Sequence, residues 1–94
     1  MNPADLTLAA FQKHISDRYE KPDRARGTAG TWLHFSEEIG ELARALARQD
    51  RANLAEEFAD VFAWLCTLAN INDVDLSNAI TAKYLSDKPP EGHK

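Results

Sequence analysis

Apolar residues recur along this chain at helical intervals, and no stretch alternates as a half-buried strand would. Leu8, Phe11, Ile15 and Tyr19 share one helical face, so a first helix is expected, with Asn2 as its cap, Pro3 at its first position and Asp5 in its first turn. The following "EKPDRARGTAG" contains Pro22, Gly27 and Gly30 and reads as a connector. A second helix is expected from Thr28 or Thr31, where Trp32, Phe35, Ile39, Leu42 and Leu46 are spaced 3, 4, 3, 4 like a coiled-coil seam. It fades at "ARQDR", where Arg44 and Arg48 complement the negative end of the helix dipole. Asp50 suits the cap of a third helix, in which Leu54, Phe58, Val61, Leu65 and Leu68 repeat with spacing 4, 3, 4, 3. Beyond "NINDVD", a fourth helix capped by Asp73 or Asp75 would turn Leu76, Ile80 and Tyr84 inward. The expected fold is all-α: a four-helix chain with a central antiparallel helix pair, one domain over residues 1–86 and a mobile tail over 87–94.

The third helix adds Phe62, Ala63, Trp64, Cys66 and Ala69 to its seam, so it is apolar on several faces. Such a helix is buried on several faces. In a chain of 94 residues the extra cover is expected from other copies, as a dimer or a dimer of dimers. A net charge of −4 argues against a surface for nucleic-acid polymers, which needs clustered Lys and Arg, but not against a small phosphorylated ligand. The single cysteine, Cys66, builds no disulfide framework and fits a reducing compartment. The N-terminus lacks a basic region followed by an apolar core, and no apolar run is long enough for a bilayer, so a cytoplasmic protein without a membrane partner is expected.

Within "NLAEEFADVFAWLCTLAN", Asp60 stands among Phe58, Val61, Phe62, Trp64, Leu65 and Leu68. An unpartnered carboxylate in such surroundings is costly. The segments "EEIGELARAL" and "EEFADVFAWL" resemble each other, each placing two acids three residues apart: Glu38 with Glu41, and Glu57 with Asp60. Residues at that spacing are neighbours on one helix face. If the two helices run antiparallel about a turn centred on Gln49, Glu38 lies level with Asp60 and Glu41 with Glu57. Four converging carboxylates with no basic residue at helical spacing among them suit a hard divalent cation, Mg²⁺ above all. One "EExxE" alone would be a solvated helix face; the pairing and the setting of Asp60 favour the metal. No Glu-x-x-His pair accompanies these acids, so a ferritin-like iron site is not indicated, and His14 and His34 read as surface or packing residues.

On "WLHFSEEIGELARAL", "LAEEFADVFAWLCTLAN" and "VDLSNAITAKY", the chain resembles the MazG-like all-α nucleoside triphosphate pyrophosphohydrolases over roughly Gly27 to Tyr84. The resemblance implies metal-binding and catalytic roles for Glu38, Glu41, Glu57 and Asp60, with Mg²⁺ as cofactor and Mn²⁺ able to substitute. It implies attack of water on the α-phosphorus of a (deoxy)nucleoside triphosphate, giving a monophosphate and pyrophosphate, in a homo-oligomer. Glu37 either orients or deprotonates that water or faces solvent. Lys83 matches a lysine that often follows the fourth helix core of the family; phosphate contact and simple exposure are both open to it. The tail "SDKPPEGHK" departs from the family in lacking the further basic residues of many relatives.

Trp32, Phe35 and Trp64 offer base-stacking surfaces, though the seam spacing assigns Phe35 to the core. Trp64 lies one turn beyond Asp60, on the same side. Asn53 shares that side, with a capping-turn role as its alternative, and Thr67 and Asn70 continue a polar track toward a base or an interface. Two functions stand against each other: nucleotide-pool housecleaning by a pyrophosphohydrolase, or a non-enzymatic helical oligomer binding metal or nucleotide as a regulatory or interaction module.

Overall fold

The computed structural model describes residues 2–87, which form three α-helices and one short 3₁₀ turn, with no strand among them. The tail expected over 87–94 lies, apart from Asp87, outside the described residues. No helix among the described residues is long and apolar enough to cross a membrane.

Asn2 does cap, but only the 3₁₀ turn Pro3–Asp5, its Oδ1 accepting from the Ala4 N–H at 3.0 Å. Helix α1 (Leu8–Arg48) begins later, with Thr7 Oγ1 accepting from the Ala10 N–H at 3.0 Å. It takes in the first and second expected helices and the expected connector as two helical arms joined across a kink at Gly27, next to the expected start at Thr28. The connector is helical because its polar residues satisfy one another at helical spacing: Arg24 pairs with Glu20, and Arg26 with Asp23. Pro22 sits inside this stretch, where it removes one helical donor without ending the helix. Gly27 breaks the helical path at φ 81° and ψ 176°, a conformation essentially confined to glycine. A straight helix of 41 residues would run about 60 Å, against a longest molecular dimension of 39 Å, so α1 consists of two arms set at an angle.

Gln49, in the left-handed conformation at φ 53°, ends α1, and Asp50 caps helix α2 (Arg51–Ile71) by accepting from the Asn53 N–H at 3.4 Å. The second arm of α1 and α2 form the antiparallel pair expected about Gln49. Thr28 meets Asn72 at the far end, and His34 meets Trp64 midway. Helix α3 (Leu76–Tyr84) is capped by Asp75, whose Oδ1 accepts from the Asn78 N–H at 2.9 Å. Asp73, the other candidate cap, instead receives the Arg24 guanidinium at 2.7 Å.

The first arm of α1 packs across α2. Phe11 meets Phe62 edge to face with ring centres 5.8 Å apart. Gln12 is buried and fully satisfied: Nε2 donates to Asn70 Oδ1 (3.0 Å) and to the Val74 carbonyl (2.7 Å), while Oε1 accepts from the Leu76 N–H (2.9 Å). One side chain thus ties the first arm to the end of α2 and the start of α3.

The buried stripe differs from the expected seam. On α1 it runs through Thr31, Phe35, Glu38, Leu42 and Ala45, with Trp32, Ile39 and Leu46 turned outward. On α2 it runs through Leu54, Glu57, Val61 and Trp64, with Phe58 and Leu65 outward. Each helix is rotated toward its acidic side, so the pair closes on small and polar residues (Thr31, Ala45, Cys66, Thr67, Ala69) and leaves bulky ones exposed. On α3, Leu76 is half-buried, but Ile80 and Tyr84, expected inward, are exposed.

Candidate functional site

That rotation carries acids into the helix interface. Glu38 and Glu41 stand one turn apart on α1, and Glu57 faces them from α2. One carboxylate oxygen from each can be chosen so that all three lie within 4.8 Å of one another. Glu41 is exposed, Glu38 half-buried, and Glu57 only 8% exposed. Oε2 of Glu38 and Oε2 of Glu57 are both shielded from solvent with no hydrogen-bond partner. A buried polar atom normally has one, and an unpaired charged oxygen costs more than a neutral group.

The electrostatics follow from this geometry. Burial, then the hydrogen bond and charge of Glu41, push the Glu38 carboxyl up to about 7, with Asp60 and Glu57 adding to the rise. Burial and the charge of Glu41 likewise raise Glu57, although a hydrogen bond with Glu38 partly offsets this. Among the described residues the ion pairs of Lys13, Arg24 and Arg26 all lie elsewhere, so no basic side chain neutralises the cluster. The donor set is all oxygen, acidic and partly dehydrated, and it carries two acceptor oxygens without donors. A hard divalent cation meets each of those conditions.

Asp60, the acid whose setting looked most apolar in the sequence, is exposed, and the buried acid is Glu57. The reason is the helix rotation, which turns Phe58 outward and Glu57 inward. Asp60 is not one of the three acids that close within 4.8 Å, yet its charge raises both Glu38 and Glu57, so it borders the cluster. Glu37 is exposed on α1, outside the three.

The remaining candidates are spread out. Trp64 is half-buried, stacked on His34 with ring centres 5.1 Å apart and 13° between planes. Trp32 is 54% exposed and tilted against Phe35. Phe35 itself is buried in the core. Asn53 is exposed in the first turn of α2, where its N–H serves the Asp50 cap. Lys83 is exposed in the last turn of α3, with its ammonium over the Tyr84 ring at 5.5 Å. The polar track is spent inside the chain: Thr67 donates to Asp23 at 3.1 Å, and Asn70 exchanges hydrogen bonds with Gln12.

Sequence reasoning missed Asp23 and Arg26, which lie near Trp64 and belong to the stretch read as a connector. Arg26 Nη2 donates to Asp23 Oδ1 at 2.5 Å, Arg26 Nε donates to Thr31 Oγ1 at 3.1 Å, and the guanidinium lies 4.9 Å from the Trp64 ring centre. Their spacing of three, unbroken by glycine before Gly27, was the available signal.

The family model of the MazG nucleotide pyrophosphohydrolase domain matches residues 27–91, which include the whole acidic cluster. No curated protein matches the chain.

Proposed function

The chain belongs to the MazG nucleotide pyrophosphohydrolase domain family, and from that premise we propose that it hydrolyses a (deoxy)nucleoside triphosphate to the monophosphate and pyrophosphate in a Mg²⁺-dependent reaction. The observation that carries this reading is the pair of orphaned, shielded oxygens on Glu38 and Glu57, two acids that cluster with Glu41 across two helices. Those residues with Glu41 would hold the ion, and Asp60, whose charge is felt at Glu38, is the fourth candidate ligand. When bound, Mg²⁺ supplies positive charge for the phosphate oxygens and acidity for a water; Mn²⁺ offers the same chemistry.

The chain's own residues do the rest. The buried stripe sets Glu38 and Glu57 in partly dehydrated surroundings, where electrostatic interactions are stronger than in water. Water attacks the α-phosphorus, the bond to the bridging oxygen of the β-phosphate breaks, and the water's proton departs. Glu37, exposed and next to Glu38 in sequence, would orient that water, take its proton or simply face solvent. Trp64 offers a planar wall one turn from Asp60, while Trp32, Asn53 and Lys83 are outlying candidates for substrate contact. Lys83 comes to the phosphates only if assembly brings α3 over the site.

Assembly is part of the proposal. Trp32, Ile39 and Leu46 on α1, and Phe58 and Leu65 on α2, form exposed strips at seven-residue spacing, which suits a second copy of the chain as a dimer or tetramer. The functional domain is taken as 1–86, with 87–94 as a tail. The single buried thiol suits a cytoplasmic setting. Pyrophosphate release from a panel of triphosphates, with Mg²⁺ and with chelator, tests the reading. No release from any of them would leave a helical module that binds metal or nucleotide without chemistry.

A further inference from the structure

The polar group beside the Gly27 bend is assembled around buried residues. Asp23, Thr31 and Thr67 are all buried, Thr31 completely. Thr67 Oγ1 donates to one Asp23 oxygen at 3.1 Å, and Arg26 donates to the other and to Thr31. Gly30 makes room for this: a Cβ there would stand 2.9 Å from Arg26 Cγ. The result is a guanidinium fixed from two sides and laid over the Trp64 ring. Trp64 is in turn parallel to His34, one turn before Glu38, and walls an apolar cavity of about 370 Å³ with Ile15, Tyr19, Ala63 and Thr67.

We propose that Arg26 is a positioning residue, which fixes the Trp64 ring as a wall of the nucleotide site one turn from the carboxylate cluster. The inference rests on the proposed reaction. A tryptophan at a half-buried position would otherwise sample several rotamers, and holding it in one removes that ordering cost from substrate binding. A guanidinium over an indole face is favoured most where solvent is scarce, as beside buried Asp23 and Thr31. Arg26 acts through Trp64, so its loss is felt in binding rather than in the bond-breaking step.

Three variants separate this role from mere scaffolding. Replacing Arg26 alone by Gln would leave Asp23 buried and unpaired, so the double variant Asp23→Asn, Arg26→Gln removes both charges together. Gly30→Ala keeps every polar group and displaces only the Arg26 side chain. Arg26→Lys keeps the charge without the planar fork. Near-UV circular dichroism, melting temperature, KM and kcat are measured on each. The tryptophan dichroism should change through Trp64, since Trp32 packs elsewhere, on Phe35. The double variant should raise KM about ten-fold with kcat within about two-fold, the signature of lost uniform binding, and Arg26→Lys should fall between it and wild type. An unchanged tryptophan signal would show that Arg26 does not set the ring. A changed signal with unchanged KM in an active enzyme would overturn the proposal alone. An inert wild type would overturn the proposed reaction and the substrate role with it, while the dichroism would still report whether Arg26 holds Trp64.

Discussion

Glu57 and Phe58 are consecutive on α2 and sit in opposite environments: the carboxylate is 8% exposed and the phenyl ring 54% exposed. A helix in a single small domain would ordinarily be turned the other way. The inversion places a charged acid against Glu38 and Glu41, where it lacks a donor for Oε2. A cation bound among these acids, as proposed, would relieve their repulsion.

Glu57→Gln should therefore leave the metal-free protein at least as stable as wild type, because it removes a raised, repelled carboxylate while keeping its size. Mg²⁺ should raise the wild-type melting temperature and move the variant much less, since a ligand stabilises only through its affinity for the folded form. Hydrolysis should fall by at least about a hundred-fold. A variant that melts lower without metal, and responds to Mg²⁺ like wild type, would make Glu57 a structural partner instead.

Phe58 leads to a separate expectation. Covering one such ring is worth about 1.5–3 kcal/mol, so the exposed strip should drive association. Light scattering should find a dimer or larger at micromolar concentration, and Phe58→Glu should shift it toward monomer while helical dichroism is retained. A monomeric wild type would refute the assembly.

The acid cluster also gives stability a direction with pH. Glu38 titrates at about 7 in the folded chain against an ordinary 4.5, so between those values the folded state holds more proton than the unfolded one. Stability from this group is then greatest below the ordinary value, falls as pH rises through the window, and levels off above about 7. Glu57, raised as well, acts in the same direction. In chelator, the urea midpoint of wild type minus that of Glu38→Gln should decline between about pH 5 and about pH 8. A difference independent of pH would mean that Glu38 is not held in the protonated form by its surroundings.

Gly27→Ala should destabilise the fold by about 1–3 kcal/mol, because φ 81° with ψ 176° is closed to a residue with a Cβ. No atom lies within 4 Å of the Cβ position, so the cost is conformational rather than steric crowding against a neighbour. Urea unfolding measures it, and an unchanged midpoint would place the bend elsewhere.

The antiparallel register was legible because it depends on local signals. The Asp50 cap and the three-residue spacing of the acids on each helix act over a few residues, and together they set the turn about Gln49 that brings Glu57 to Glu38 and Glu41. The buried face was not legible. A seam of large apolar residues and an adjacent stripe of small and polar ones differ by one position in the helical repeat, and hydrophobicity favours the former. The stripe chosen closes on Thr31, Ala45 and Cys66, and leaves Ile39 and Phe58 outward. Of the two break signals in the connector, Gly27 marks a real bend and Pro22 does not, because the partners that hold Asp23 and Arg24 in a helix, Thr67 and Asp73, lie more than forty residues away.

The position of bond cleavage tests the reading most directly. Wild-type protein is incubated with Mg²⁺ and a hydrolysed triphosphate in ¹⁸O-labelled water, and the products are followed by phosphorus NMR and mass spectrometry. The expected result is a nucleoside monophosphate carrying the label, with unlabelled pyrophosphate, and loss of both products in Glu57→Gln or in chelator. Label in the pyrophosphate, release of orthophosphate with a diphosphate, or turnover that persists in chelator would contradict it.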